Sequence, residues 1–330
     1  HLGRPKGKVS EEFSLKNILP EIEKVLGKPV KFSDDCIGAE AKKMSADLQP
    51  CEILLLENLR FYDEEENGDE AFAKQLADLG EAYVNDAFGT AHIAHASTAV
   101  IAQYFPSTKF FGLLMAKELE AIDKVLKSGE KPITAILGGS KVSSKITIIE
   151  NILPAIDNLI IGGGMAFTFV RALGGDIGNS LVEVDKQSLA LEILEKAKAQ
   201  NVAVYLPVDS LIADDFNNEA EIKEVDIYEI PDGWMGLDAG VRSRKIFHDV
   251  IMNSRTILWN GPIGVFEMSN FADGTIALGE SIAKATRLGA FSLVGGGDIV
   301  AFVKQFGYDE KVSYVSTGGG AMLESLEGME

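Results

Sequence analysis

Short apolar runs that end in glycine, proline or aspartate recur along the 330-residue chain. A run of strand length bounded by turn residues is typical of a buried parallel strand. Helical patterns, such as those over 187–199 and 274–286, separate several of the runs and predict a repeated strand–helix unit. From residue 157 onward the chain contains five runs of this kind: 157–164 (DNLIIGGG), 202–209 (VAVYLPVD), 256–262 (TILWNGP), 289–298 (GAFSLVGGGD) and 312–320 (VSYVSTGGG).

The first third of the chain repeats the pattern with four further runs, at 30–35, 52–60, 82–89 and 109–115. Polar side chains such as Asn85 and Asp86 follow these runs where the strands would end. We therefore expect an α/β protein with two doubly wound, Rossmann-like parallel-sheet domains, each with a ligand edge at the carboxyl ends of its strands. The expected domains are 1–116 and 131–330. A helical hinge over 117–130, with a helix at 117–127 and a Gly–Pro turn at 128–132, would join them.

One glycine turn also carries two cations. The run 133–145 (ITAILGGSKVSSK) reads as a strand, a Gly138–Gly139 turn and the start of a helix that presents Lys141 and Lys145 on one face. Free N–H groups and lysines at a helix N-terminus would favour phosphate. The alternative is that both lysines are solvated surface groups, because the P-loop pattern is absent.

Composition narrows the classes of partner. The formal net charge of −19 argues against nucleic-acid binding, which needs a basic face. No apolar run is long enough to span a membrane, and the polar start HLGRPKGK does not resemble a signal peptide. Two cysteines, Cys36 and Cys51, cannot form a disulfide framework, and we expect both to be small buried residues in a reducing cytoplasm.

Nine motifs, taken together and in order, resemble the phosphoglycerate kinase family. They are HLGRPKG (1–7), LLLENLRF (54–61), VNDAFGTAH (84–92), LGGSKVSSK (137–145), IIGGGMAFTF (160–169), GWMGLDAG (233–240), ILWNGPIGVFE (257–267), VGGGD (294–298) and VSTGGGA (315–321). The resemblance implies a monomeric two-domain enzyme that moves a phosphoryl group between ATP and the carboxylate of 3-phosphoglycerate, giving 1,3-bisphosphoglycerate and ADP, with Mg²⁺ as cofactor. It implies that the N-terminal domain, 1–116, binds phosphoglycerate and that the C-terminal domain, 131–330, binds Mg-nucleotide.

The resemblance also assigns roles to individual residues. Lys141, Gly296 and Gly297 would be catalytic, with Lys141 stabilising the phosphoryl group in transfer, and Asp298 would lie nearest magnesium. The residues that would contact 3-phosphoglycerate are His1, Leu2, Gly3, Arg4 and Arg60. The residues that would surround the nucleotide are Gly139, Lys145, Gly163, Gly164, Gly236, Asn260, Pro262, Val265, Glu267, Gly296, Gly297, Asp298 and Ile299.

Elementary chemistry agrees with these roles. Phosphoryl transfer requires positioning and neutralisation of charge more than covalent chemistry, so lysines, arginines and magnesium suit it. One carboxylate together with substrate phosphates is a usual way to hold magnesium. An acidic residue after a strand, as Glu267 is, suits a ribose hydroxyl.

Three departures from the family pattern leave an alternative open. The chain starts at HLGRPKG and stops at Met329–Glu330, so it has the look of a fragment without the family's opening and closing segments. Ile93 stands where the family has an arginine for phosphoglycerate, and Ile299 where a hydroxyl faces the nucleotide phosphates. The alternative is a catalytically impaired nucleotide-binding fragment. A dehydrogenase is disfavoured, because no strand leads into G-x-G-x-x-G with an acidic residue about 20 positions later.

Overall fold

The structure, a computed structural model, describes residues 1–328 and divides the chain into two compact units, His1–Ala116 and Lys117–Glu330. We call them unit 1 and unit 2. Each contains strands and helices around its own buried apolar cluster. Within residues 1–328, no helix combines the length and the apolar character that crossing a membrane would require.

Unit 1 contains short strands and helices. Its strands are β1 (Lys31–Ser33), β2 (Leu54–Leu56), β3 (Tyr83–Asn85) and β4 (Lys109–Phe111). Its α-helices are α1 (Leu19–Leu26), α2 (Gly38–Ala46), α3 (Asp63–Glu66) and α4 (Glu70–Ala77). Its 3-10 helices are Glu11–Phe13, Leu15–Ile18, Leu59–Phe61, Phe88–Thr90 and Val100–Tyr104.

The four strands of unit 1 form two separate parallel pairs, β1 with β2 and β3 with β4. An apolar cavity of about 460 Å³ is lined by residues of both β2 and β3. Phe72, Ala73 and Leu76 of α4 are buried and pack with Cys36. Each of the four predicted runs therefore contains a strand, and polar residues follow β1, β2 and β3 directly.

Unit 2 holds the larger sheet. Its strands are β5 (Ile133–Leu137), β6 (Asn158–Ile161), β7 (Asp176–Ile177), β8 (Ala203–Tyr205), β9 (Asp209–Ala213), β10 (Ile222–Asp226), β11 (Glu229–Ile230), β12 (Met235–Ala239), β13 (Thr256–Asn260), β14 (Phe291–Val294) and β15 (Tyr314–Val315). Its α-helices are α6 (Ile146–Ile152), α7 (Met165–Ala172), α8 (Gln187–Ala199), α9 (Val241–Met252), α10 (Asp273–Arg287), α11 (Gly297–Gln305) and α12 (Gly319–Leu326), and helix α5 (Leu113–Leu126) crosses the boundary between the units. Its 3-10 helices are Leu153–Ala155, Val184–Lys186, Ser269–Phe271 and Asp309–Lys311.

Six strands of unit 2 form a parallel sheet in the order β15-β14-β13-β5-β6-β8. Numbered along the chain, this is the Rossmann order, with the strand order reversing between β5 and β13. Every residue of these two strands is buried, which explains why they read as continuous apolar runs. The predicted parallel sheet is confirmed, and its switch point lies where 133–137 meets 256–260.

Two features differ from the predictions. An antiparallel sheet, β10-β9-β12, packs around Ala213, Leu237 and Phe271, and the sequence reasoning did not anticipate it. The helix expected at 117–127 begins earlier, as α5 at Leu113, because Gly112 is followed directly by helix-forming residues and the Gly112 carbonyl accepts from the Ala116 N–H.

Candidate functional site

The strand ends at the switch point lie close together because glycines stand there. The Gly138 N–H donates to the Asn260 carbonyl at 2.9 Å, and the Gly139 N–H donates to the Pro262 carbonyl at 3.1 Å. A Cβ on Gly138 would lie 2.0 Å from the Pro262 carbonyl oxygen, so no other residue fits without moving the backbone. Gly139 has a φ of +118°, which favours glycine. The turns after β5 and β13 are therefore fixed against each other.

A cavity of about 550 Å³ opens beside these turns. Its walls include apolar side chains such as Phe167, Ile227 and Leu237, with a few polar groups among them. This mixture is typical of small-molecule sites. Eight residues predicted to surround a nucleotide line it: Gly139, Gly163, Gly164, Gly236, Pro262, Val265, Glu267 and Asp298.

The prediction that Lys141 and Lys145 lie on one face of a helix is wrong. Helix α6 begins at Ile146, and residues 141–145 form a turn instead. The Lys145 N–H donates to the Val142 carbonyl at 2.8 Å, and the Ser144 hydroxyl donates to the Lys141 carbonyl at 2.8 Å. A turn forms here in place of a helix because serine hydroxyls offer the backbone local hydrogen bonds that compete with those of a helix. The expected site at a helix N-terminus is thus replaced by a lysine-bearing loop, 140–145, which we call the lysine loop.

Lys145 is bound into the strand ends. Its Nζ donates to Asn260 Oδ1, and Asn260 Nδ2 donates to the Gly295 carbonyl at 2.6 Å. Partial burial lowers the pKa of Lys145, and the charge of Asp298 opposes that effect. Gly296 follows at once, with a φ of +107° and a hypothetical Cβ 2.7 Å from Asn260 Nδ2. Hydrogen bonds therefore join Lys145, Asn260 and Gly295 in one network beside the cavity, Gly296 lies against it, and Gly297 is exposed at the start of α11.

Asp298 is exposed in the first turn of α11 and lines the cavity, and Glu267 is exposed on the loop that follows β13. The Ile299 side chain, in contrast, is fully buried in the core of unit 2. An apolar residue in the first turn of α11 packs inward, so only its backbone could face a nucleotide.

The site also contains groups that the sequence reasoning did not single out. Asp238 is buried in the wall of the cavity, where its carboxylate accepts from the Gly274 N–H at 2.7 Å and the Ala239 N–H at 2.8 Å. Burial raises the pKa of Asp238 to about 7, although these two N–H donors oppose the shift. Phe216 and Leu181, both exposed, reach the cavity from loops. Loop residues follow no periodic sequence pattern, so only the three-dimensional structure shows that these two side chains lie at the cavity.

In unit 1, His1 and Arg60 line a second cavity, of about 470 Å³. The Leu2 carbonyl accepts from Asn58 Nδ2 at 2.7 Å, and Gly3, with a φ of +60°, turns the chain beside Phe13. Arg60 is buried and forms an ion pair with Glu66, which its sequence context did not reveal. Arg4 is exposed and does not line that cavity.

Two other sequence predictions can be compared with the structure. Cys36 is buried, as expected, but Cys51 is exposed at a φ of +69°, because it lies in the turn before β2 rather than in a strand. Ile93 is at the surface, in a turn closed by the His95 N–H donating to its carbonyl at 2.8 Å. The turn itself does not require an arginine at 93.

A Rossmann-order sheet, glycine turns at its switch point and a lysine loop beside a cavity define a protein that binds a nucleotide or a similar phosphate compound. Comparison with known proteins makes the class specific. The family model for phosphoglycerate kinase matches residues 1–329. A phosphoglycerate kinase from Porphyromonas gingivalis is 54% identical, over 99% of this chain and 84% of its own length.

Solved structures agree. A phosphoglycerate kinase structure from Coxiella burnetii has a TM-score of 0.90 and 40% identity, covering 99% of this chain and 82% of that one. A phosphoglycerate kinase structure from Pyrococcus horikoshii has a TM-score of 0.79 and 31% identity, and the match covers 100% of this chain and 83% of that one. This chain belongs to the phosphoglycerate kinase family, and it is a phosphotransferase whose substrates are 3-phosphoglycerate and ATP. None of these findings favours the impaired-fragment alternative.

Proposed function

We propose that unit 2 binds the nucleotide and that unit 1, residues 1–116, binds phosphoglycerate. The cavity at the switch point is the observation that supports this most, because ligands of doubly wound sheets bind there. The glycine turns at Gly139, Gly163 and Gly164 would allow the backbone to approach the phosphates. Glu267, at the lip of the cavity, would accept from a ribose hydroxyl.

The lysine loop and the strand ends would carry the chemistry. In the transfer, the bond between the terminal phosphorus of ATP and the ADP oxygen breaks, and a bond from that phosphorus to the carboxylate oxygen of 3-phosphoglycerate forms. Lys141 would neutralise charge on the transferring oxygens, while the N–H groups of Gly296 and Gly297 would hold phosphate oxygens. Lys145, held by Asn260, would keep the nucleotide phosphates in line.

Asp298 would hold the magnesium ion that accompanies the nucleotide. Among residues 1–328 no group of three His, Cys, Asp or Glu side chains could hold a metal by itself. The exposed Asp298 carboxylate at the cavity fits magnesium carried by nucleotide phosphates and water. The ion would neutralise part of the phosphate charge, and Lys141 and Lys145 would neutralise the remainder.

In unit 1, the amino-terminal segment His1–Leu2–Gly3–Arg4 and Arg60 would bind phosphoglycerate. His1 and Arg60 share the cavity of about 470 Å³, and the Gly7 N–H donates to the Arg60 carbonyl at 3.2 Å, which ties the segment to this arginine. The Arg60–Glu66 ion pair implies that the substrate phosphate would compete with Glu66 for Arg60.

We further infer that residues 117–130 act as a hinge, since donor and acceptor must meet for transfer. We also propose that the protein works as a monomer in the cytoplasm, in the acyl-phosphate step of glycolysis. Its two free cysteines suit a reducing compartment.

Calorimetric titration with Mg-ADP and, separately, with 3-phosphoglycerate tests whether the chain has both proposed binding sites. We expect both to bind. Binding of nucleotide alone would show that unit 1 does not form a working phosphoglycerate site in this chain. Binding of neither would contradict the proposed sites of both units.

A further inference from the structure

The lysine loop is held from outside by one carboxylate. Glu183 Oε2 accepts from the Ser143 N–H at 3.0 Å, and Glu183 Oε1 accepts from the Ser143 hydroxyl at 2.5 Å. Ser143 lies midway between Lys141 and Lys145, and the neighbouring Val142 is fully buried. A carboxylate that accepts two such bonds fixes both the position and the orientation of a turn.

The Glu183 carboxylate, which we call the clamp, is carried by a backbone that is itself held in place. The Glu183 N–H donates to the hydroxyl of the buried Thr168 in α7 at 3.1 Å. Just before it, Leu181 lines the cavity, and Ser180 Oγ accepts from the Gly236 N–H at 2.9 Å. Hydrogen bonds from Ser143 and from the Val142 backbone outweigh partial burial and lower the pKa of Glu183, so the clamp is ionised at neutral pH.

The two lysines depend on this clamp to different extents. Lys145 has a partner of its own in Asn260, which is anchored to the Gly295 carbonyl. Lys141 is exposed and makes no side-chain hydrogen bond or ion pair within residues 1–328. Its position is therefore set by the backbone of the loop alone, and the Glu183 carboxylate holds that backbone from outside.

We propose that Glu183 is a positioning residue for phosphoryl transfer, whose carboxylate holds the lysine loop so that Lys141 meets the transferring group. The proposal rests on the role proposed above for Lys141. Glu183 touches no reacting atom, so its effect passes through the loop. Nucleotide binding, which depends on Lys145 and the glycine turns, changes little when the clamp is lost, whereas turnover falls.

Steady-state kinetics of Glu183→Gln test this, with Glu195→Gln as the control. Glu195 is an exposed glutamate of α8 without a hydrogen bond or ion pair among the described residues. A charge-assisted hydrogen bond corresponds to about a tenfold change or more. We therefore expect kcat to fall about tenfold, with the KM for Mg-ADP close to that of the control. Glu183→Asp, which keeps the charge, should recover part of kcat.

Two further variants separate the possible outcomes. Ser143→Ala removes one donor and leaves the carboxylate, so it should lower kcat less than Glu183→Gln does, and it serves if Glu183→Gln does not fold. Lys141→Met should lower kcat strongly. If Lys141→Met lowers kcat and Glu183→Gln does not, the positioning role is overturned. If Lys141→Met has no effect, the proposed role of Lys141 itself fails. Loss of thermal stability in Glu183→Gln with kcat unchanged would make Glu183 a purely structural residue.

Discussion

At the scale of single residues, the site depends on a few charged groups whose partners decide what they do. Lys145 and Arg60 look alike in sequence, as cations after a strand. The structure pairs Lys145 with a neutral amide and Arg60 with a carboxylate. Lys145 thus keeps its charge available to an anion, while Arg60 shares its charge with Glu66.

Replacing Lys145 by alanine should weaken nucleotide binding and leave the fold intact. The loss of one charge-assisted hydrogen bond, about 1.5–3 kcal/mol, corresponds to a roughly 10- to 100-fold higher Kd for Mg-ADP by calorimetry. Lys198→Ala, an exposed lysine in the last turn of α8, is the matched control and should bind as the parent does. An unchanged Kd for Lys145→Ala would remove this lysine from the nucleotide site.

Asp238 should make the stability of unit 2 depend on pH. Burial raises the pKa of Asp238 in the folded protein to about 7, against about 3.9 in the unfolded chain. Its contribution to the free energy of unfolding is therefore complete below about pH 3.9 and is lost as pH rises through about 7. Relative to Asp238→Asn, the parent should lose up to about 1.4 kcal/mol of unfolding free energy per pH unit between pH 5 and 7.

Urea unfolding followed by tryptophan fluorescence measures this, because both tryptophans, Trp234 and Trp259, lie in unit 2. Asp232→Asn, at an exposed aspartate, is the control and should keep the pH dependence of the parent. Parallel pH profiles for the parent and Asp238→Asn would show that Asp238 is already ionised across this range.

At the scale of elements, the carboxyl ends of β5 and β13 determine the site, because their turns are packed backbone to backbone. Gly138→Ala would place a Cβ 2.0 Å from the Pro262 carbonyl oxygen and 2.7 Å from that of Gly261. We expect unit 2 to lose about 1–3 kcal/mol of stability from overpacking, and Mg-ADP to bind more weakly because Gly139 and Pro262 line the cavity.

Urea unfolding and calorimetry of Gly138→Ala give both quantities. Gly80→Ala is the control, since a Cβ there would meet only the Ala82 carbonyl oxygen, at 3.6 Å, which is ordinary contact. Stability and affinity equal to those of the parent would mean that the two turns can separate without cost.

At the scale of the whole molecule, the chain is two compact units, so a ligand should stabilise the unit that binds it. Mg-ADP at 100 times its Kd should raise the unfolding free energy of unit 2 by about 2.7 kcal/mol. Hydrogen exchange resolves the units, and protection should appear in β5 and β13 and not in β1 and β2. Protection by Mg-ADP confined to unit 1 would reverse the proposed assignment of the units.

The sequence by itself determined the strands of the large sheet and the long helices α8 and α10. Strands β5 and β13 are buried on both faces and therefore read as unbroken apolar runs, and the glycines that end them are required by backbone contacts as close as that at Gly138. These apolar runs and the glycines that end them also form part of the motifs that match the phosphoglycerate kinase family. Local pattern sufficed where burial was continuous along an element, as in these strands, or periodic, as in α8 and α10.

Tertiary structure alone decided the rest. Hydroxyl–backbone bonds and the distant Glu183 turned 141–145 into a loop, although its sequence favours a helix start. The Ile299 side chain packs into the core of unit 2, and burial raised the pKa of Asp238 despite the Gly274 N–H. Apart from the local bond between Ser144 and Lys141, each of these effects depends on a partner far away in the chain. Sequence period and spacing report how a segment meets its own neighbours and carry no information about which distant group it will contact.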